Sequence, residues 1–221
     1  MDVIGELRMR WRLGNGKRGT DVSNQVQSKR RMLLWVDAVG GFLVCLSPET
    51  TLGQALPASD VDIPLSADVS RRHAAIRRQS DEYVIDPWHP VFLRGHQVKQ
   101  PTPLRDGDRL SLGESMEIEF RKPHALSATA RLIFGSRHST QPASDGVVLM
   151  GESLVMGPQA HNHVICREWA NDLILFRRGN QLWCRTPGTI HVDGQTFEEE
   201  ACLGPNSHVE GDDFSVSLEM L

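Results

Sequence analysis

The chain has 221 residues and a mass of 24.7 kDa, with 39% hydrophobic and 24% charged residues and a formal net charge of −4. That is room for two small domains or one larger β domain, and the balance excludes wholesale disorder and collagen-like repetition. The charge is uneven: residues 1–31 carry eight Lys/Arg (Arg8, Arg10, Arg12, Lys17, Arg18, Lys29, Arg30, Arg31) against Asp2, Glu6 and Asp21, which leaves −9 for the remainder.

The N-terminal stretch alternates arginine with single apolar residues and builds no signal-peptide core, and no run approaches the ~18 apolar residues of a membrane span. A cytoplasmic location without membrane contact is expected. The basic arm over 1–31 suits an anionic partner or the acidic body of its own chain, and a solvated or self-docked arm is favoured over one bound to nucleic acid.

After Arg31 the chain changes to short apolar runs separated by turn residues. Strands are predicted over 32–36, 41–46, 62–65, 74–77, 82–85, 91–93, 109–112 and 116–120. In Met116-Glu117-Ile118-Glu119-Phe120 the alternation is strict, which places three apolar side chains on one face. Pro48, Ser80-Asp81, Arg94-Gly95 and Asp106-Gly107-Asp108 supply the turns. A second series follows the connection at 123–130, over 131–134, 147–150, 153–156, 164–166, 173–176, 181–184, 189–192 and 214–218. No segment shows an amphipathic helix of ~12 residues, so an all-β fold is expected.

The two series keep the same order of landmarks. Leu52-Gly53 matches Met156-Gly157, Ile76-Arg77-Arg78 matches Phe176-Arg177-Arg178, Leu93-Arg94-Gly95 matches Val192-Asp193-Gly194, and Met116, Ile118 and Phe120 match Phe214, Val216 and Leu218. The offset drifts smoothly from 104 to 98, as small loop deletions would make it. Two repeats of one sandwich are read from this, over 32–123 and 131–221.

Candidate chemistry is sparse. Cys45, Cys166, Cys184 and Cys202 are widely spaced beside apolar residues and read as buried thiols. His161-Asn162-His163 lacks a carboxylate or cysteine at ligand spacing, and Asp106-Gly107-Asp108 reads as a hairpin turn, not a calcium loop. Neither Gly113-Glu114-Ser115 nor Gly151-Glu152-Ser153 completes a nucleophile elbow. The paired arginines 77–78 and 177–178 alternate across a strand and so do not line one surface. No metal, cofactor or enzymatic constellation is expected.

The first repeat carries Gly53, Asp60-Val61-Asp62-Ile63-Pro64-Leu65, Ser70-Arg71-Arg72-His73, Tyr83-Val84-Ile85-Asp86, Leu93-Arg94-Gly95 and Leu104-Arg105-Asp106-Gly107-Asp108. In this combination it resembles the forkhead-associated (FHA) domain, a β-sandwich that binds phosphothreonine peptides. The resemblance implies two tandem FHA-like antiparallel β-sandwiches behind a basic arm, the second strongly divergent, serving phosphothreonine recognition or signalling. The partner it implies is a phosphothreonine-containing protein or peptide, with a phosphorylated Thr20 on the chain's own arm as one such segment.

By position the resemblance implies that Ser70 and Arg71 contact phosphate. Gln54, Arg72, His89 and Arg94 are placed near the peptide, and Gly53, His73, Gly95, Asp106, Gly107 and Asp108 hold the scaffold. Two departures stand out. Gln54 follows Gly53 where the family has arginine, and the loss of one charged hydrogen bond of ~1.5–3 kcal/mol weakens binding by about 10- to 150-fold. Asp86-Pro87-Trp88-His89-Pro90 is also shorter than the family's loop and lacks its asparagine. The second repeat has Trp169-Ala170-Asn171-Asp172 in place of Ser-Arg-Arg-His, so it is expected to be a sandwich without phosphate chemistry. The competing expectation is a phospho-independent assembly protein built from degenerate sandwiches.

Overall fold

The computed structural model describes residues 31–57, 59–135 and 138–221. The expected arm, apart from Arg31, lies outside the described residues, and Thr20 with it. No helix occurs among them and twenty strands do. The first nine are β1 (Arg31–Val36), β2 (Gly40–Cys45), β3 (Glu49–Gln54), β4 (Ile63–Leu65), β5 (Ala74–Gln79), β6 (Glu82–Pro87), β7 (Val91–Leu93), β8 (His96–Val98) and β9 (Thr102–Leu104). Next come β10 (Asp108–Leu112), β11 (Met116–Arg121), β12 (Ala130–Phe134), β13 (Gly146–Leu149), β14 (Ser153–Gly157) and β15 (Val164–Ile165). The last are β16 (Leu173–Arg178), β17 (Gln181–Val192), β18 (Gln195–Leu203), β19 (His208–Glu210) and β20 (Ser215–Met220).

Strands β3, β8, β9, β18 and β19 were not among the predicted runs. The runs predicted over 181–184 and 189–192 join into β17, whose ladder with β18 shifts register between Arg185 and Thr189.

A small sheet has the order β4-β3-β5-β6-β9. A large sheet follows the path β15-β14-β16-β17-β19-β20-β1-β2-β13-β12-β11-β10-β7-β8, with β18 paired to β17. The central strands β1, β2 and β13 are apolar at both parities, the pattern of strands buried on both faces. Because successive side chains point to opposite faces, Leu33, Leu43, Cys45, Val147 and Leu149 enter a first core with Leu52, Ile76, Leu110 and Phe120. Their neighbours Leu34, Phe42, Val44 and Val148 enter a second core with Met156, Leu175, Val209 and Val216.

Both cores cross the expected boundaries at 123 and 131. Strands β12 and β13 supply Ala130, Leu132, Val147 and Leu149 to the first core, while β1 pairs with β20 along its length. The two units thus share a layer instead of hanging on the 123–130 connection. That connection is itself fastened: the Tyr83 hydroxyl lies 2.7 Å from the Ala128 carbonyl and 3.1 Å from that of Leu149.

The ladders of the first unit recur in the second. Leu52 pairs with Ile63 in parallel, as Met156 does with Val164. Leu93 pairs with Leu110 and Leu110 with Ile118, as Val192 pairs with Val209 and Val209 with Val216. The turns Arg94-Gly95 and Asp193-Gly194 both take two positive φ values, 52° and 80° against 52° and 79°, the geometry of a two-residue hairpin turn.

Three cysteines are buried as expected, but Cys202 is exposed. It stands opposite Trp183 on β18, and the two core-facing neighbours Ala201 and Leu203 leave it on the outward face.

Candidate functional site

The end of β3, the β4–β5 connection and the β6–β7 connection meet at one end of the first unit. Gly53 makes this approach possible, because a Cβ there would overlap the carbonyl group of Arg71. The Gln54 N–H donates to the Ser70 carbonyl at 3.0 Å and the His73 N–H to that of Leu52 at 2.8 Å. Residues 70–73 are thereby laid against β3.

His73, 2% exposed, ties the connections together. Its Nδ1 accepts from the Ser70 N–H at 3.2 Å, so in the neutral ring the proton sits on Nε2, which donates to the Pro90 carbonyl at 3.0 Å. Burial lowers its pKa; the Pro90 carbonyl opposes that shift and nearby His89 adds to it. The His73 carbonyl accepts from the N–H groups of Trp88 and His89, both at 3.0 Å.

Gln54, Ser70 and Arg71 are brought side by side. Among the described residues no hydrogen bond or ion pair engages the Gln54 amide, the Ser70 hydroxyl or the Arg71 guanidinium, and Arg71 is exposed. Arg72 is occupied: its Nη1 lies 3.7 Å from Asp60 and its guanidinium 4.9 Å from the centroid of the Trp88 ring. The His89 ring lies 5.7 Å from that of His73, tilted by 37°. Asp60 was quoted in the sequence but not assigned to the site; only folding of the β3–β4 connection reveals its position beside Arg72.

Arg94 is not part of this cluster. Strand β7 starts beside Pro90 and runs away from it, and the pairing of Leu93 with Leu110 carries the turn to the end where β10 begins. There the Arg94 Nε and Nη2 each donate to the Asp108 carboxylate at 2.6 Å, a bidentate contact that commits the guanidinium. Asp108 also accepts from the Arg105 N–H at 2.7 Å, Asp106 accepts from Arg121 and from the Lys122 N–H, and Gly107 takes a φ of 82°. Gly95 and the 106–108 turn thus lie together at the far end.

The second unit holds the same places with different chemistry. A Cβ at Gly157 would overlap the Asp172 carboxylate, which accepts from the Asn162 amide at 2.7 Å. A side-chain carboxylate therefore fills the space that receives loop backbone at Gly53. At the far end Ser207 donates to Asp193 at 2.8 Å, reversing the donor polarity of the Arg94–Asp108 contact. The His208 N–H and the Ser207 hydroxyl hold Asp193 below the usual carboxylate range.

His163 accepts at Nδ1 from the Val155 N–H at 2.9 Å and so presents Nε2–H to Ser127 at 2.9 Å, the wrong tautomer for activating that serine. Among the described residues no group of three or more His, Cys, Asp or Glu is placed to hold a metal ion, and no helix is long and apolar enough to cross a membrane.

The family model of the FHA domain matches residues 50–113, the segment from β3 to the end of β10 that contains all three connections. No curated protein matches the chain. Among solved structures it is similar to Mycobacterium tuberculosis EmbR in complex with a low-affinity phosphopeptide, at 26% identity over 41% of this chain and a TM-score of 0.32; it spans only 24% of that chain. It is similar to the Rv0020c FHA structure at 24% identity, over 45% of this chain and 91% of the other, with a TM-score of 0.24. It is also similar to the N-terminal FHA domain from EssC, a component of the bacterial type VII secretion apparatus, at 11% identity over 85% of this chain and 92% of that one, with a TM-score of 0.23.

Proposed function

We propose that the chain recognises a phosphothreonine peptide as a signalling or scaffold module, without enzymatic activity, through the end of the first unit where Gln54, Ser70 and Arg71 meet. The observation that carries this reading is that these three donors are uncommitted on loops fixed by Gly53 and His73. A phosphothreonine brings about −1.5 to −2 charges and three acceptor oxygens. The Arg71 guanidinium supplies charge-assisted bonds, the Ser70 hydroxyl a short neutral donor, and the Gln54 amide stands where the related family places a second guanidinium. The second unit is a divergent copy of the same sandwich, and its role is to support the first and to present a surface of its own.

The alternative reading, a phospho-independent assembly protein, is favoured by one feature: Asp60 places a carboxylate beside Arg72 and lowers the positive potential at the site. Titration of the full chain with a degenerate phosphothreonine peptide library, against its unphosphorylated counterpart, separates the two. The recognition reading expects phosphate-dependent binding that weakens about 10- to 150-fold in Ser70→Ala, the loss of a hydrogen bond to a charged group. Equal behaviour of the two libraries at millimolar peptide leaves the assembly reading.

A further inference from the structure

At the end of the second unit, the β1–β2 turn, residues 165–169 and the β19–β20 connection enclose a cleft of about 590 Å³. Its apolar wall is formed by Val39, 37% exposed, and the half-buried Phe214, whose ring lies 5.0 Å from that of the buried Trp169 beneath it. Its rim is acidic, with Asp37, Glu168, Asp212 and Asp213 exposed against the single guanidinium of Arg167. Asp213 is partly used, accepting from the Ala170 N–H. Among the described residues no hydrogen bond or ion pair engages the carboxylates of Asp37, Glu168 or Asp212. The sign is opposite to that of the first unit's end, so this cleft repels phosphate and suits a ligand that alternates apolar with cationic side chains.

The chain contains such a segment. Residues 7–13 read Leu-Arg-Met-Arg-Trp-Arg-Leu, and in an extended conformation Leu7, Met9, Trp11 and Leu13 line one side while Arg8, Arg10 and Arg12 line the other. We propose that this segment of the N-terminal arm docks in the cleft, its apolar side against Val39 and Phe214 and its arginines against Asp37, Glu168 and Asp212. Three positive charges meet a rim with a net charge of −3. The distance is within reach. The described chain begins at Arg31, and β1 covers roughly 17–20 Å from there to the turn that forms one wall of the cleft. Residues 14–30 span up to about 55 Å when extended. On the competing acidic surface, Glu198-Glu199-Glu200 on β18, two of the three carboxylates are already engaged: Glu198 accepts from the Thr189 hydroxyl and Glu200 pairs with Arg178 at 2.7 Å.

Hydrogen exchange measured by mass spectrometry on the full chain tests the docking. Amides of residues 7–13 are expected to exchange at least about tenfold more slowly than in the isolated synthetic segment. Protection is expected to vanish in the arm variant R8E/R10E/R12E and in the cleft variant E168K/D212K, to return when the two sets are combined, and to persist in E198K/E199K. The arm variant leaves every described residue unchanged, so faster exchange in 165–169 and 211–215 in that variant supports the contact independently of how the cleft variant folds. Exchange of 7–13 at the isolated segment's rate in the unaltered chain overturns the proposal. So does protection that survives charge reversal of the cleft, or that is lost only with E198K/E199K.

Discussion

Leu33 and Leu34 are neighbours on β1, 3% and 0% exposed, yet each fills a different core. Leu33→Ala opens a cavity in the first unit and Leu34→Ala one in the second. For buried leucines the lost transfer energy and the residual cavity together cost about 2–5 kcal/mol. For a chain of this size each kcal/mol lowers the midpoint of thermal unfolding by ~2–4 °C, so either variant is expected to melt roughly 4–20 °C lower. Because β1, β2 and β13 belong to both cores, the first unit cannot lose its packing while the second keeps a complete wall. Scanning calorimetry should therefore give one transition for the parent chain and both variants, with calorimetric and van't Hoff enthalpies in agreement. Two resolved transitions, with Leu33→Ala moving one and Leu34→Ala the other, would refute the shared-layer argument and restore two independent sandwiches.

Gln54→Arg is expected to tighten phosphothreonine-peptide binding by about 10- to 150-fold in a fluorescence titration, since it adds a charged fork beside Ser70 and Arg71; no gain counts against the placement of phosphate there. Arg94→Ala is expected to leave peptide affinity unchanged while lowering thermal stability, because it strips the bidentate guanidinium from the 6%-exposed Asp108 at the far end and leaves only the Arg105 N–H. With native protein, a thiol reagent is expected to modify one cysteine per chain and none in Cys202→Ser. The exposed thiol reacts, while burial pushes Cys166 up to about 12 and Cys184 up to about 11. Burial, with the nearby charges of His124, Arg131 and His161, lowers the pKa of His163 to about 4. The unfolded ring takes up a proton below its ordinary 6.5 and the folded ring only below about 4, so stability is full above pH 6.5 and falls toward pH 4. The loss approaches ~3 kcal/mol at most, and His163→Gln should flatten this slope in urea unfolding between pH 7 and 5.

The all-β class and the strands with strict alternation were legible in the sequence, as Met116, Ile118 and Phe120 illustrate on β11. Strands β8 and β9, three residues each with polar or proline positions, carry too little pattern to be seen in advance. β18 hides its pairing behind three glutamates that point to solvent or neighbouring arginines, as Glu200 does to Arg178. The runs around Leu33-Leu34 and Leu43-Val44 are continuously apolar, but periodicity alone does not say that a second layer covers them, and that layer is what fuses the two units. Around Gly53 the fold brings Ser70, Arg71 and His73 against the end of β3, an arrangement that only the pairing of the strands on either side makes visible. Arg94 lies apart from them, because only the β7–β10 register decides which end of the strand its turn occupies.

The reversed sign at the two ends follows from the same economy of places. In the first unit the loop backbone of Arg71 packs on Gly53 and leaves cationic side chains outward. In the second, the Asp172 carboxylate takes the space over Gly157, and Glu168, Asp212 and Asp213 rim the cleft beyond it. The two ends thus differ in charge and are joined by strands that belong to both cores. A ligand that orders the loops at one end does so against a layer the other end also rests on, so phosphopeptide bound at Ser70 and Arg71 is expected to raise the single melting transition of the whole chain, not of 31–123 alone.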